Sequence, residues 1–423
     1  MARPSHHSRY ALTVLCAVYF VHMMDRSVLL VLLEQIRHEF MLSDSQLALL
    51  SGVGYALPFA IAGLPLGMVA DRVSRKRLLA VLVLAWSAFT AFAATSRNFA
   101  MLLVTRAGVG ASEAGAPPAI LSMVADFYPG ASRAGAVSVI YVAPLLGVMA
   151  GSYIGGSAAA AYGWRGALMI AAVPGALLAL VVALTLREPP RGSFESTGTS
   201  GASISHAIAL VVRPSRFRSS FAAIVAASVV SIGIMSWFAV VLIRVHGLNV
   251  KEAGLASALA GGLLGGIGSL TGGWIANRWL AGQSRALLRL SAIGVGLSIP
   301  CGLLGLYAHA AGPAIAGLGL WSFFGSVYMG PSYGVCLGSV PAPLRSTLMA
   351  LVVVTCNLVG AAGGPQIAGI LSDTLRAHGD SLALPHSLSV VLLFGTLPAW
   401  LFWRAARQST DANYSYAGIE KIS

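Results

Sequence analysis

Apolar residues in this chain come in long blocks rather than in alternation with polar ones. Between polar breaks, twelve apolar stretches stand out, at 10–36, 45–69, 78–95, 99–127, 134–161, 165–186, 218–243, 253–280, 286–308, 312–339, 346–371 and 387–404. Each approaches or exceeds the roughly 20 residues that a helix needs to cross a bilayer. A helix satisfies its own backbone in hydrocarbon, which an isolated strand cannot do. The pattern therefore predicts an all-α membrane protein with twelve transmembrane helices. Gly147, Gly151 and Gly155 recur every four residues, on one helix face, where small residues let two backbones approach closely in lipid.

Composition agrees. Of 423 residues, 57% are hydrophobic and 10% charged, with a mean hydropathy of +0.80; soluble domains carry about 25% charged residues. Cys16, Cys301, Cys336 and Cys356 fall inside apolar runs, without disulfide or metal spacing. The first run carries Asp25 and Arg26 and is too long for a cleavable signal. No nucleophile–base pair, metal set or phosphate loop stands out, so neither an enzyme nor a cofactor is expected.

The formal charge of +13 would suggest nucleic acid in a soluble protein. Placed on the spans, with the N-terminus inside, 19 of the 27 Lys and Arg fall in inner loops and tails and 6 in outer loops. That is the positive-inside bias; the excess is topological, both termini are cytoplasmic, and no nucleic-acid partner is implied. The chain reads as six spans at 1–186, a cytoplasmic linker at 187–217, six spans at 218–405 and a tail at 406–423 in a multi-pass inner-membrane protein. Gly67-Met-Val-Ala-Asp71-Arg72 after span two has a degenerate copy, Gly273-Trp-Ile-Ala-Asn277-Arg278, after span eight, 206 residues on. Arg133 opens span five and Arg345 opens span eleven, 212 residues on. Two duplicated six-helix halves place a solute site at mid-membrane.

Gly67-Met-Val-Ala-Asp71-Arg72-Val-Ser74-Arg75-Lys76 resembles the loop 2–3 signature of the major facilitator superfamily, with Ser74 where the family usually has glycine. The chain is similar to the spinster family within it. Met24-Asp25-Arg26, Arg106-Ala-Gly108-Val-Gly110-Ala-Ser-Glu113-Ala, Arg187-Glu-Pro-Pro-Arg191-Gly and the stretch from Asn357-Leu-Val-Gly360 through Gly364-Pro365 to Ser372-Asp373 carry the likeness. The first two segments also occur loosely in organic-anion symporters of the superfamily. Family members often have Asn-Tyr before Met-Asp-Arg; here His22-Met23 stands there. The resemblance implies the facilitator fold, two pseudo-symmetric bundles, alternating access and an amphiphilic substrate such as a lysophospholipid. The other readings are a carrier of small organic anions and a non-transporting solute sensor.

Charge inside a membrane is costly and marks function. Asp25 and Arg26 in span one and Arg106 and Glu113 in span four qualify. Arg106 and Glu113, seven apart, share a face, whereas the adjacent Asp25 and Arg26 diverge by roughly 100°. Asp25 near Arg106, or Glu113 near Arg26, would complete one cluster. A static, charge-balanced network fits these residues. So does a relay with Asp25 and Glu113 as proton sites and Arg26 and Arg106 as anion ligands, the roles that the resemblance implies. His22, three residues before Asp25, faces the same surface; it is a third proton-site candidate. Glu34 lies near the outer end of span one. Asp71 suits helix N-terminal amides such as those near Ser346 and Thr347, and Arg72, Arg75 and Lys76 suit acids or lipid phosphates. By resemblance Gly67, Asp71, Arg72, Arg75 and Lys76 form a gating latch. Tyr141, Trp237, Tyr328 and Asn357 complete the candidate substrate contacts, since the second half has aromatics but no interior Lys, Arg or Glu. Expected partners are membrane lipids, protons and an amphiphilic solute, bound by a monomer.

Overall fold

The computed structural model describes residues 6–190, 216–338 and 345–409, and every regular element among them is helical. The first half holds α1 (His6–Phe40), α2 (Asp44–Ser51), α3 (Val53–Arg72), α4 (Arg75–Ala93), α5 (Phe99–Glu113), α6 (Ala116–Phe127) and α7 (Gly130–Thr185). Each of the twelve predicted stretches is mostly helical where described. Among the described residues, nine helical stretches are long and apolar enough to cross a membrane. Several predicted spans are broken: span two at Gly52, between α2 and α3, and span four at Ala114–Gly115, between α5 and α6. Spans five and six run together as α7, whose helical path is interrupted at Gly163 (φ +70°), a conformation that suits a residue without Cβ. Two π-helical turns, Ser257–Leu263 and Cys356–Gly360, interrupt the helices of spans eight and eleven, a feature frequent at functional sites.

The chain divides into two compact units. The first joins Met1–Thr197 to Met235–Leu263 and Pro365–Leu384, and the second comprises Gly198–Ile234, Leu264–Gly364 and Pro385–Ser423. The linker at 187–217 that divides the halves in chain order lies largely outside the described residues, as does most of the tail.

In the first unit α1 lies on α7 along the predicted glycine stripe. A Cβ at Gly147 or Gly151 would run into the carbonyls of Phe20 or Met24, and one at Gly155 would stand 3.1 Å from Val28 Cα. The second unit repeats the device. Gly360 and Gly364, again four apart and 213 residues downstream of Gly147 and Gly151, close onto the carbonyls of Ser228 and Val229. The internal repeat is thus visible in backbone packing as well as in loop motifs.

Candidate functional site

Five of the predicted residues meet in the first unit. His22 and Asp25 on α1 and Arg106 and Glu113 on α5 are buried, and Glu113 is wholly inaccessible. The glycines of α5 make this possible. A Cβ at Gly108 would lie 2.5 Å from the Phe89 ring, one at Gly110 would strike the Tyr55 carbonyl, and one at Gly115 would lie 2.6 Å from Leu82. Glu113 is therefore set deep among α1, α3 and α4.

The pairing differs from the expected exchange of Arg and carboxylate. Tyr55 on α3 donates its hydroxyl to Glu113 Oε2 at 2.6 Å, and His22 Nε2 lies 3.1 Å from the same oxygen. That second distance suits an ion pair, although the approach angle is not that of a hydrogen bond, and it gains full value when His22 is protonated. Asp25 accepts from Thr90 on α4 at 2.8 Å and lies within electrostatic reach of Glu113, Arg106 and His22. Among the described residues no ion pair joins Asp25 to Arg106. Instead the guanidiniums of Arg26 and Arg106 both lie over the Tyr55 ring, 4.8 and 5.6 Å from its centroid. A desolvated contact of this kind is worth about 2 kcal/mol. Arg106 Nε and Glu113 Oε1 are buried without a hydrogen-bond partner among the described residues. Tyr19 stacks on His22 at 5.7 Å and approaches Tyr141, which is exposed, at 6.4 Å.

The other predicted contacts lie elsewhere. Trp237 is buried and donates to the Pro365 carbonyl at 3.3 Å. Tyr328 and Asn357 belong to the second unit: Tyr328 packs on Phe402 at 5.7 Å, and Asn357 sits on the π-helical turn and donates to the Val353 carbonyl.

In the last turns of α3, a Cβ on Gly67 would meet nothing, and Arg72 is exposed. The side chains of Asp71, Ser346 and Thr347 lie outside the described residues. Arg75 is closed off by its partners although it lies near the protein surface. It pairs with Asp126, Glu188 at 3.0 Å and Ser122 at 2.8 Å, and donates to the Pro189 carbonyl. Lys76 contributes its amide to Glu188 at 2.8 Å. Ser74 works where the family motif has glycine because no left-handed residue is needed: its φ is −60°, its oxygen caps α4 at Arg77 N, and its hydroxyl donates to Glu188.

Two sets of residues escaped the sequence reading. Tyr55 and Thr90 are neutral, and nothing in an apolar run singles them out. The other set is an ionic network of the first unit. Glu34 and the fully buried Asp44 share Arg244, which contacts Glu34 at 2.7 Å and Asp44 at 2.9 Å. Arg376 and Ser372 also bind Asp44, each at 2.7 Å, and Arg37 binds Glu34 at 3.1 Å. Asp373 accepts the amides of Asp44 and Ser45 and the Ser45 hydroxyl at the start of α2. Glu34 at the end of span one and Ser372-Asp373 in the span-eleven segment stood out in the sequence, but their meeting at Asp44 did not; Ser43 and Gln46 form a capping box at the start of α2.

Long apolar helices with buried charge between them, broken helices and a clamped loop between α3 and α4 fit a polytopic membrane transporter rather than an enzyme. The profile described as the Major Facilitator Superfamily matches residues 15–365, so the chain belongs to that superfamily. It is 27% identical over 398 residues to an MFS-type efflux pump of Mycolicibacterium smegmatis, covering 92% of this chain and 91% of that one. It is 28% identical to spinster homolog 1 of Xenopus laevis, over 86% of this chain and 72% of that one. Among solved structures, it is similar to a bacterial homolog of the human lysosomal transporter spinster. The inward-facing unoccupied form gives a TM-score of 0.85 at 24% identity, covering 95% of this chain and 98% of that one. The inward-facing occupied form gives 0.83 at 25%, covering 97% and 98%.

Proposed function

We propose that this protein is a proton-coupled secondary transporter of an amphiphilic anionic or zwitterionic lipid, such as a lysophospholipid, in the inner membrane. The observation that carries the coupling is the buried Glu113, which shares one oxygen between Tyr55 and His22 beside Asp25 and the two arginines. A carboxylate in such a place changes partners when it takes a proton, and a substrate anion competes with it for the arginines. The anionic headgroup is assigned to Arg26 and Arg106. The lipid character is supported by the similarity to spinster proteins and by the uncharged interior of the second half. Trp237 and Tyr328 add little to it, because both are engaged in packing in this conformation. The relative named an efflux pump favours outward movement. The network of Glu34, Asp44, Arg244 and Arg376 supplies the ties that would hold the outer ends closed, and Arg75 with Glu188 those on the cytoplasmic side.

Proteoliposome flux tests the reading. Lysophosphatidylglycerol should move in response to a pH gradient, while short organic acids neither move nor compete. Glu113→Gln should retain exchange of preloaded lipid and lose the gradient response by about 100-fold or more, the size of the contribution of a proton-transfer group. Movement of short acids alone supports the small-anion carrier instead, and binding without flux a sensor.

A further inference from the structure

Tyr55 touches Glu113 and both arginines of the cluster, and no motif of the chain singles it out. Its hydroxyl donates to Glu113 Oε2 at 2.6 Å, and its ring carries Arg26 on α1 and Arg106 on α5, at 4.8 and 5.6 Å. The residue is buried, and a Cβ at Gly110 would collide with its backbone carbonyl, so α5 holds it in place from behind. Phe59 stacks on it at 5.7 Å, fixing the ring plane. A phenol that donates to a carboxylate gains electron density, and an electron-rich ring holds a guanidinium more strongly. Once Glu113 takes a proton, the hydroxyl loses its anionic acceptor and the ring loses part of its hold on both arginines.

We propose that Tyr55 is the positioning residue that transmits the charge state of Glu113 to Arg26 and Arg106, so that one proton on the acid loosens two anion ligands together. The proposal rests on the reading of Glu113 as a proton site. The proton comes from solvent, ends on a Glu113 carboxylate oxygen, and no covalent bond is made elsewhere. The groups facing Glu113 are His22 and Asp25 from α1 and Tyr55 from α3, whose ring carries Arg26 and Arg106. From α4 come the neutral Thr90 and Trp86, and Tyr19 and Tyr141 stand behind His22. His22 shares the Glu113 oxygen, but the ring that carries both guanidiniums is that of Tyr55, so the transmission to the arginines is assigned to Tyr55.

Infrared titration of the purified full-length protein needs no substrate. The carboxyl stretch of protonated Glu113 is the band lost in Glu113→Gln. In Tyr55→Phe, which keeps the ring, that band should change frequency and its midpoint should move by about one pH unit, the size of one hydrogen bond to a charged group. Site-specific 3-fluorotyrosine at position 55 keeps the shape and strengthens the donor, and should move the midpoint in the opposite direction; it also serves if Tyr55→Phe does not fold. A residue that merely fills space would move neither. A Glu113 band of unchanged frequency and midpoint in both variants overturns the proposal and leaves the proton site standing. A titration in which Glu113→Gln removes no band overturns the proton-site reading, and the proposal with it.

Discussion

At the scale of single residues, glycine and glutamate work together here. Glu113 and Arg106 can be buried beside α3 because Gly108 and Gly110 remove the side chains that would hold the helices apart. On α7, Gly151 plays the same part toward α1, which carries His22 and Asp25. Gly151→Ala would force a methyl group against the Met24 carbonyl one residue before Asp25. Overpacking of this kind costs about 1–3 kcal/mol, and against backbone there is no side chain to swing aside. The expected outcome is a drop of several degrees in melting temperature, read by differential scanning fluorimetry. The same substitution at Gly67, where a Cβ meets nothing, should leave melting unchanged. Equal effects at the two positions would refute the packing account.

At the scale of elements, the turn from α3 to α4 is held by the residues just past α7. Arg75 pairs with Asp126 on α6 and with Glu188, and Ser74 and the Lys76 amide complete the Glu188 site. Arg75→Gln removes the cation from the largely buried Arg75–Asp126 pair. Breaking a buried pair costs about 3 kcal/mol at the low end. A large loss of thermal stability is expected, partly recovered in the double variant with Asp126→Asn. Burial pushes the Glu188 carboxyl up, but hydrogen bonds from the Lys76 amide, the Ser74 hydroxyl and Arg75 outweigh it and hold it below the ordinary range. A lowered carboxyl contributes stability that is fully present above the unfolded value of about 4.3 and is lost as pH falls through the folded value. Hydrogen exchange at the Lys76 amide should therefore be slow at neutral pH and accelerate in acid below about pH 4, beyond its intrinsic rate. Glu188→Gln should abolish that acid step; an unchanged step would assign it to another group.

At the scale of the molecule, chain order and packing divide the protein differently. Met235–Leu263 and Pro365–Leu384 belong by sequence to the second half and by contact to the first unit. Arg244 is the donor common to Glu34 and Asp44, while Arg376 and Asp373 bind Asp44 and the start of α2. Arg244→Gln should free these ends. Labelling of a cysteine placed at Ser45 by an impermeant maleimide from outside is expected to speed up roughly tenfold, the kinetic equivalent of about 1.4 kcal/mol. No change would mean that the network only stabilises the fold.

Much of this could be read without coordinates, and the boundary follows from the physics. Hydrocarbon demands long apolar runs and penalises stray charge, so the spans, the loop polarity and Asp25, Arg26, Arg106 and Glu113 were conspicuous residue by residue. The glycine stripe was legible for the same reason, since spacing on a helix fixes a face. Breaks such as Gly52 and Ala114–Gly115 were hidden, because apolar composition continues across them, whereas the one at Gly163 falls in the gap predicted between spans five and six. Partners were hidden as well. Asp25 and Glu113 found a hydroxyl, a phenol and an imidazole rather than the expected arginines, because three-dimensional packing alone sets which neutral donor reaches a buried oxygen. Tyr55 in an apolar run looks like any packing aromatic until α1 and α5 bring two guanidiniums over its ring. The membrane as solvent wrote the kind of protein into the sequence, while the tertiary structure decided which side chains touch.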